Sequence, residues 1–454
     1  MRRTSRAAFT LVEMLVAMAV TLIMMGAVVT MFGNVANSIT GSRAIMEISE
    51  RLRNCRNMLQ RDLGGVTVTM LPPRRPESDE GYFEYVEGPA TDFWPMDFFS
   101  PPVHWPNGPG SPPADADFPI NPIGPPLTAV RSLAGDVDDF VMFTARSRGE
   151  PYVGTVNNSN LQSLTAEIIY FTRIAPNTPT IIDAQTGQQF QLRTLYHRVQ
   201  LVNPSTGPIT PNPNPGETLV MFRNKHDLSV RFDGTNFIPN TLGDLTKREN
   251  RYGHDISPPG FPFPARQVEA LTAGRQGDDV ILTNVLAFDV KAYDPFVPMR
   301  VTTTNVATLP SDPGYGIGAN TQAGSGGYVD LNYSRSIPPA LANSAESFGS
   351  YFVRSGNAIY QAQPPVARLL LPTYDTWSLH YEQNGVDDNN LLGPDLATNG
   401  LDDNSNGVVD DLAESDAPPP YSVPLRGIQI KIRVYEPDSR QVREVTVVQD
   451  FLPQ

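Results

Sequence analysis

From Phe9 to Phe32 the only charged residue is Glu13. That run is long enough for a helix crossing a bilayer, which takes ~20 apolar residues. Beyond Phe32 the chain turns polar. Val35, Ile39, Ile45, Ile48, Leu52, Cys55, Leu59 and Leu63 nevertheless recur mostly at three- and four-residue steps. Such spacing puts them on one stripe of a helix. Arg43, Glu47, Arg51, Arg53 and Arg61 fall largely between them, and Gly64-Gly65 is a stop signal. The pattern predicts one helix from Phe9 to Leu63, roughly 80 Å long at ~1.5 Å per residue. Its first half suits a membrane and its second half suits the surface of a domain. Cys55 lies on the stripe and reads as a small buried hydrophobe.

Past Gly65 the period changes. Short runs rich in β-branched and aromatic residues read as strands: Phe140–Phe143, Ile168–Phe171, Leu195–Val202, Thr218–Phe222, Val285–Tyr293, Thr376–Tyr381, Ile428–Tyr435 and Arg443–Phe451. Alternation from Ile428 to Val434 implies one buried and one wet face. Glu436-Pro437-Asp438-Ser439 then turns the chain into Val445–Val448, which predicts a closing hairpin. Stretches 72–127, 203–216, 236–279 and 296–365 are rich in Pro, Gly and Asn and read as insertions at loop tips, where length is tolerated. The expected fold is α+β, with a long N-terminal helix on an antiparallel β-sheet domain that carries long loop insertions.

Composition narrows the function. The 44 prolines exclude a helical architecture over most of the 454 residues. A net charge of −14, from 34 Lys+Arg against 48 Asp+Glu, is the wrong sign for a bulk nucleic-acid binder. One cysteine excludes an internal disulfide framework and a Cys-based zinc site. The five histidines (His104, His197, His226, His254 and His380) show no paired metal spacing. There is no G-x-S-x-G elbow and no P-loop. Gly324-Ser325-Gly326-Gly327 reads as linker, and Asp138-Asp139 and Asp278-Asp279 as turn residues leading into strands. The expectation is a protein that is not an enzyme.

The head of the chain adds chemistry. Arg2, Arg3 and Arg6 precede the apolar run, so the basic side should stay cytoplasmic and the remainder should lie outside. A cleaved secretory signal fits poorly, because the run exceeds a usual h-region and no A-x-A-like site follows it. Glu13 is costly inside an apolar helix and is a functional candidate by default.

Ala8-Phe9-Thr10-Leu11-Val12-Glu13 resembles the processing site of type IV prepilins and type II secretion pseudopilins. The resemblance implies that a membrane prepilin peptidase cuts between Ala8 and Phe9 and that Phe9 is then N-methylated. It implies that the Glu13 carboxylate pairs with the Phe9 amine of a neighbouring subunit, an assembly key because two buried charges offset one another only when paired. The family usually has Gly where Ala8 stands. The implied divisions are a leader at 1–8, a transmembrane half-helix at 9–32, an amphipathic half-helix at 33–63 and a periplasmic β domain at 64–454. Other pilins or pseudopilins would be partners through residues 9–63, and the chain would sit in the inner membrane with a single pass. A weaker likeness is to J-type minor pseudopilins, in Ile169-Tyr170, Leu195-Tyr196-His197-Arg198, Leu286–Val290 and the closing hairpin.

Asn384-Gly385-Val386-Asp387-Asp388-Asn389 recurs fifteen residues later as Asn399-Gly400-Leu401-Asp402-Asp403-Asn404, within an acidic stretch at 384–414. Asp402, Asn404, Asn406, the Val408 carbonyl and Asp410 fall at positions 1, 3, 5, 7 and 9 of an EF-like loop, with Gly407 at position 6. Ala413 occupies position 12, so Asp411 or Glu414 would have to substitute. The second copy resembles dockerin-like and thrombospondin type 3-like calcium loops, which makes calcium the expected cofactor. The alternative to a pilin subunit is a membrane-anchored periplasmic binding module using this loop.

Overall fold

The computed structural model of the chain describes residues 10–87, 135–174, 180–182, 189–204, 206–209, 217–254, 274–275, 277–310, 312, 315, 321–331, 333, 373–388, 393–411, 413–416, 421, 423–437 and 439–451. The helix predicted from the apolar pattern is one continuous element, α1 (Leu11–Leu63). It starts after Thr10, whose extended backbone makes it the N-cap, and stops at Gly64. At 53 residues it is roughly 80 Å long.

The domain is built on an antiparallel sheet. Its chain-ordered elements are β1 (Phe83–Val86), β2 (Phe140–Arg146), β3 (Tyr152–Val156), β4 (Ser159–Ser163), β5 (Thr165–Ile174), β6 (Thr180–Ile182), β7 (Gln189–Gln191) and β8 (Arg193–Val202). Then come α2 (Leu219–Arg223), β9 (Val230–Phe232), β10 (Phe237–Pro239), α3 (Leu242–Leu245), β11 (Val280–Val301), β12 (Ala307–Thr308), β13 (Thr321–Val329), β14 (Thr373–Asp375), β15 (Gly427–Glu436) and β16 (Gln441–Asp450). The main sheet runs β14-β1-β2-β5-β8-β11-β15-β16, with β12 and β13 also on β11. The closing hairpin is β15–β16, with Ile430 opposite Val447 and Glu436 opposite Gln441.

Both faces of the central strands are covered, which explains the nearly unbroken apolar runs. On one face Ile48, Leu52, Cys55, Leu59 and Leu63 of α1 share a core with Phe83, Phe143, Ile168, Tyr170, Phe288 and Ile430. On the other, Ile169 and Phe171 meet Met142, Leu242, Leu245 and Tyr252.

The second layer corrects the expectation that 236–279 is a loop-tip insertion. Residues 236–254 form β10 and α3 and enter the core, and the remainder to 273 lies outside the described residues. The reason is electrostatic. Glu84 and Asp375 face each other across the β1–β14 ladder, both buried. Like charges directly opposite are unfavourable. Arg251 Nη1 lies 2.9 Å from Glu84 and 2.8 Å from Asp375, Arg248 Nη2 lies 2.9 Å from Glu84, and His254 Nε2 lies 3.0 Å from Glu84. Arg251 also stacks 4.1 Å from the Tyr82 ring centroid and Arg248 4.5 Å from that of Trp377.

Other expectations also need revision. Thr218–Phe222 is not a strand, because the Thr218 hydroxyl accepts from Met221 N and starts α2. Thr376–Tyr381 follows β14 into a 3-10 turn at Leu379–Glu382, capped by Ser378. Gly324–Gly327 is no linker but part of β13, paired along β11. A Cβ on Gly327 would sit 2.5 Å from Leu309 Cδ1, so the Leu309 side chain packs directly over that backbone. Within 296–365, β11 runs on to Val301 and β12 and β13 follow, so that stretch too is partly sheet. Of 203–216 only 203–204 and 206–209 are described, and of 72–127 only 72–87, including β1.

β11 spans 22 residues and changes partner along one edge. β8 pairs with it up to Val285 and β13 pairs with it from Ala292, while β15 holds the opposite edge. In the gap, Gly135 N donates to Leu286 O (3.1 Å) and Phe288 N donates to Asp136 O (2.7 Å).

Candidate functional site

α1 divides by exposure. Leu11, Ile23 and Phe32 are 78%, 73% and 71% exposed, whereas the stripe of Ile48, Leu52, Cys55, Leu59 and Leu63 is covered by the sheet. Val35 and Ile39, expected to pack on the domain, remain exposed, so docking begins about one turn before Ile48. The segment is long and apolar enough to cross a membrane. Its bare apolar surface requires lipid or other helices around it.

Ala8 and Phe9 lie outside the described residues. Glu13 is described, and it closes a reciprocal cap. Its carboxylate accepts from Thr10 N (2.9 Å) and the Thr10 hydroxyl (3.0 Å), and Glu13 N donates back to Thr10 Oγ1 (3.3 Å). Glu13 thus satisfies helix-terminal donors within its own chain. The T-x-x-E spacing of Thr10 and Glu13 is the sequence signal of this cap.

The docked end of α1 is fixed by a polar contact that periodicity did not reveal. Asp62 is fully buried, accepts from the Tyr170 hydroxyl (2.7 Å) and lies 2.9 Å from His197 Nε2. Cys55 is buried as expected, and burial pushes its thiol up to about 12.

The acidic repeat folds as two similar turns. Val386 N donates to Asn384 Oδ1 and Leu401 N to Asn399 Oδ1 (2.7 and 2.8 Å). Gly385 N donates to Asp395 and Gly400 N to Asp410 (2.8 and 2.9 Å). In the second copy Asn406 N and Gly407 N both donate to the Asp402 carboxylate (3.0 and 2.8 Å), and Gly407 takes φ +93°, a conformation that favours glycine. Asn404 and Asn406 amides donate to Asp411, while Asp410 turns to Gly400. Of the acidic pair, Asp411 therefore faces the asparagines. Glu414 accepts from Asn404 N (2.9 Å) and Asp411 N (3.2 Å), and Val408 N donates to Asn406 Oδ1 (2.8 Å). Hydrogen bonds, that from Asn406 foremost, hold the Asp411 carboxyl below its ordinary value.

Residues 3–29 match the family model described as the prokaryotic N-terminal methylation motif. The chain carries a prepilin-type N-terminus. No curated protein and no solved structure matched the chain. The prepilin-type segment ends inside the exposed half of α1, so the match covers the part of the helix that leaves the domain.

Proposed function

We propose that the protein is a minor pseudopilin or pilin-like subunit of a type II secretion or type IV pilus-like machine, structural rather than catalytic, and of the J type. The observation that carries this reading is the union of the methylation motif with a helix whose apolar half is bare and whose second half is docked. A prepilin peptidase would cut between Ala8 and Phe9. The bare half would pack first in lipid and then among other subunits, with the domain in the periplasm. A shaft position gives each subunit limited room, so a large β domain suits the tip or another low-copy place. The experiment is intact-mass measurement of the membrane-extracted protein with and without the peptidase. Loss of Met1–Ala8 with one added methyl is the expected result. An uncut chain would reduce it to an anchored domain.

The second reading, an anchored binding module, is favoured by the acidic repeat. Asp402, Asn404, Asn406, the Val408 carbonyl and Glu414, with Asp411 beside or in place of Asp410, would hold calcium as a hard cation with oxygen ligands. The two readings are compatible in one chain. Deletion that stops secretion while leaving surface binding intact supports the structural role, and the reverse supports the module.

A further inference from the structure

The geometry points to a second, buried calcium site, formed by Glu87, Asp136 and Asp139 at the gap where β8 and β13 part along β11. One carboxylate oxygen from each of the three lies within 4.8 Å of the others. Three oxygens no more than 4.8 Å apart share a point within about 2.8 Å of each, close to the ~2.3–2.6 Å of a calcium ligand. The residues are 0–1% exposed. No residue of the acidic repeat takes part.

The cluster holds oxygens that the protein leaves unanswered. Among the described residues, Glu87 Oε1 and Asp136 Oδ2 are buried with no hydrogen-bond partner. Their other oxygens are used: Glu87 Oε2 accepts from the Tyr85 hydroxyl and from Leu331 N (2.9 Å), and Asp136 Oδ1 accepts weakly from Asp138 N (3.3 Å). A buried carboxylate oxygen without a partner costs the full desolvation of the group. Asp139 Oδ2 accepts from Val290 N (2.7 Å), which fixes that carboxylate beside β11.

Charge leads to the same conclusion. Beside the three acids stand Asp289 and Asp330. Lys431 lies 2.8 Å from Asp289, and Lys291 lies 3.3 Å from both Asp289 and Asp330. Two lysines thus offset two aspartates, and the charge of Glu87 and Asp136 remains. An all-oxygen donor set of carboxylates selects a hard dication. The ion would tie the end of β1, the segment leading into β2 and, through Val290, β11. Leu331, just past β13, is held to Glu87. The ion would staple the edge along which β11 changes partner from β8 to β13.

The test uses the full chain in detergent, stripped with EGTA, in an Asp402→Asn/Asp411→Asn background that silences the acidic loop. Calcium is expected to bind with one ion per chain by atomic emission and to raise the melting temperature. Terbium in its place should show tyrosine-sensitised emission that falls in Tyr85→Phe, whose hydroxyl meets Glu87. Adding Glu87→Gln/Asp136→Asn should weaken calcium at least about tenfold, since two charged ligands are lost. Without calcium this variant should be at least as stable as its parent, because amides replace two crowded buried carboxyls that lack partners. No calcium and no melting shift in the loop-silenced chain overturns the proposal, whether or not the second variant folds. Undiminished calcium in Glu87→Gln/Asp136→Asn also overturns it. Peptidase processing of the N-terminus is read separately and bears on neither result.

Discussion

Asp62, in the last turn of α1, lies 2.9 Å from His197 Nε2 on β8 and accepts 2.7 Å from the Tyr170 hydroxyl on β5. Burial alone would raise this carboxyl. The hydrogen bond and charge of His197, the Tyr170 hydroxyl and Arg61 outweigh burial, so it titrates below its ordinary value. A depressed carboxyl stabilises the fold above its unfolded value, ~3.9, and loses that contribution as pH falls through the folded value. Asp62→Asn should cost about 1–3 kcal/mol at pH 7, in the range for hydrogen bonds to a charged group. Melting temperatures of the two chains should converge below about pH 4. Equal melting at pH 7 would show that apolar contacts alone hold the helix.

Cys55 reports whether that docking persists in solution. It faces the sheet at 2% exposure, and its thiol is pushed up to about 12, so thiolate is scarce at neutral pH. A maleimide should label it only as the chain unfolds in denaturant. Rapid labelling of the native protein would mean that α1 lifts from the domain. Leu59→Ala, at a fully buried neighbour, should cost about 3 kcal/mol and speed labelling.

The helix and most strands were legible because their signals are local. Ile48, Leu52, Cys55, Leu59 and Leu63 announce a helix face by spacing alone, and Ile428–Val434 a strand by alternation. Thr218–Phe222 was misread because its β-branched and aromatic content resembles a strand, while a single hydroxyl at Thr218 starts the helix. Arg248 and Arg251 looked like loop residues because the Glu84 and Asp375 that bury them are far away in sequence. Asp138 and Asp139 were read correctly as leading into a strand, yet their burial follows from β11, about 150 residues on. The methylation motif and the acidic repeat need no distant partner to be visible, whereas the sites at Asp62, Glu84 and Glu87 are assembled from distant segments.

That arginine pair yields a sharp expectation. Arg251→Met leaves Glu84 and Asp375 facing each other with half their compensation, and should cost about 3–5 kcal/mol in chemical unfolding. Adding Glu84→Gln and Asp375→Asn should recover much of the loss. A triple variant no more stable than the single one would show that Arg251 acts through its stacking on Tyr82 instead.

Glu13 has two candidate duties, and Thr10 separates them. If Glu13 serves only the cap, Thr10→Ala and Glu13→Ala should have similar effects, each about 1 kcal/mol of local helix stability. If it pairs with the Phe9 amine of a neighbour, Thr10→Ala should still cross-link to other subunits in membranes while Glu13→Ala should not. Cleavage measured by mass should survive in both. We expect the second outcome, because a carboxylate within an apolar run is retained at high cost unless a cation meets it.

The acidic repeat offers the last check. Backbone donors from Asn406 and Gly407 already hold Asp402, and the amides of Asn404 and Asn406 hold Asp411. Calcium would displace the two amide contacts and use the carbonyl oxygens of the same side chains, so the loop should tighten when the ion binds. Limited proteolysis of the full chain should therefore cut between 384 and 414 faster in EGTA than in millimolar calcium. Asp402→Asn should remove the difference, whereas Asp410→Asn, whose carboxylate turns to Gly400, should reduce it less. Equal loss in both variants would return Asp410 to the ligand set. No calcium effect in the parent chain would leave the repeat as a hydrogen-bonded surface turn and the anchored-module reading without support.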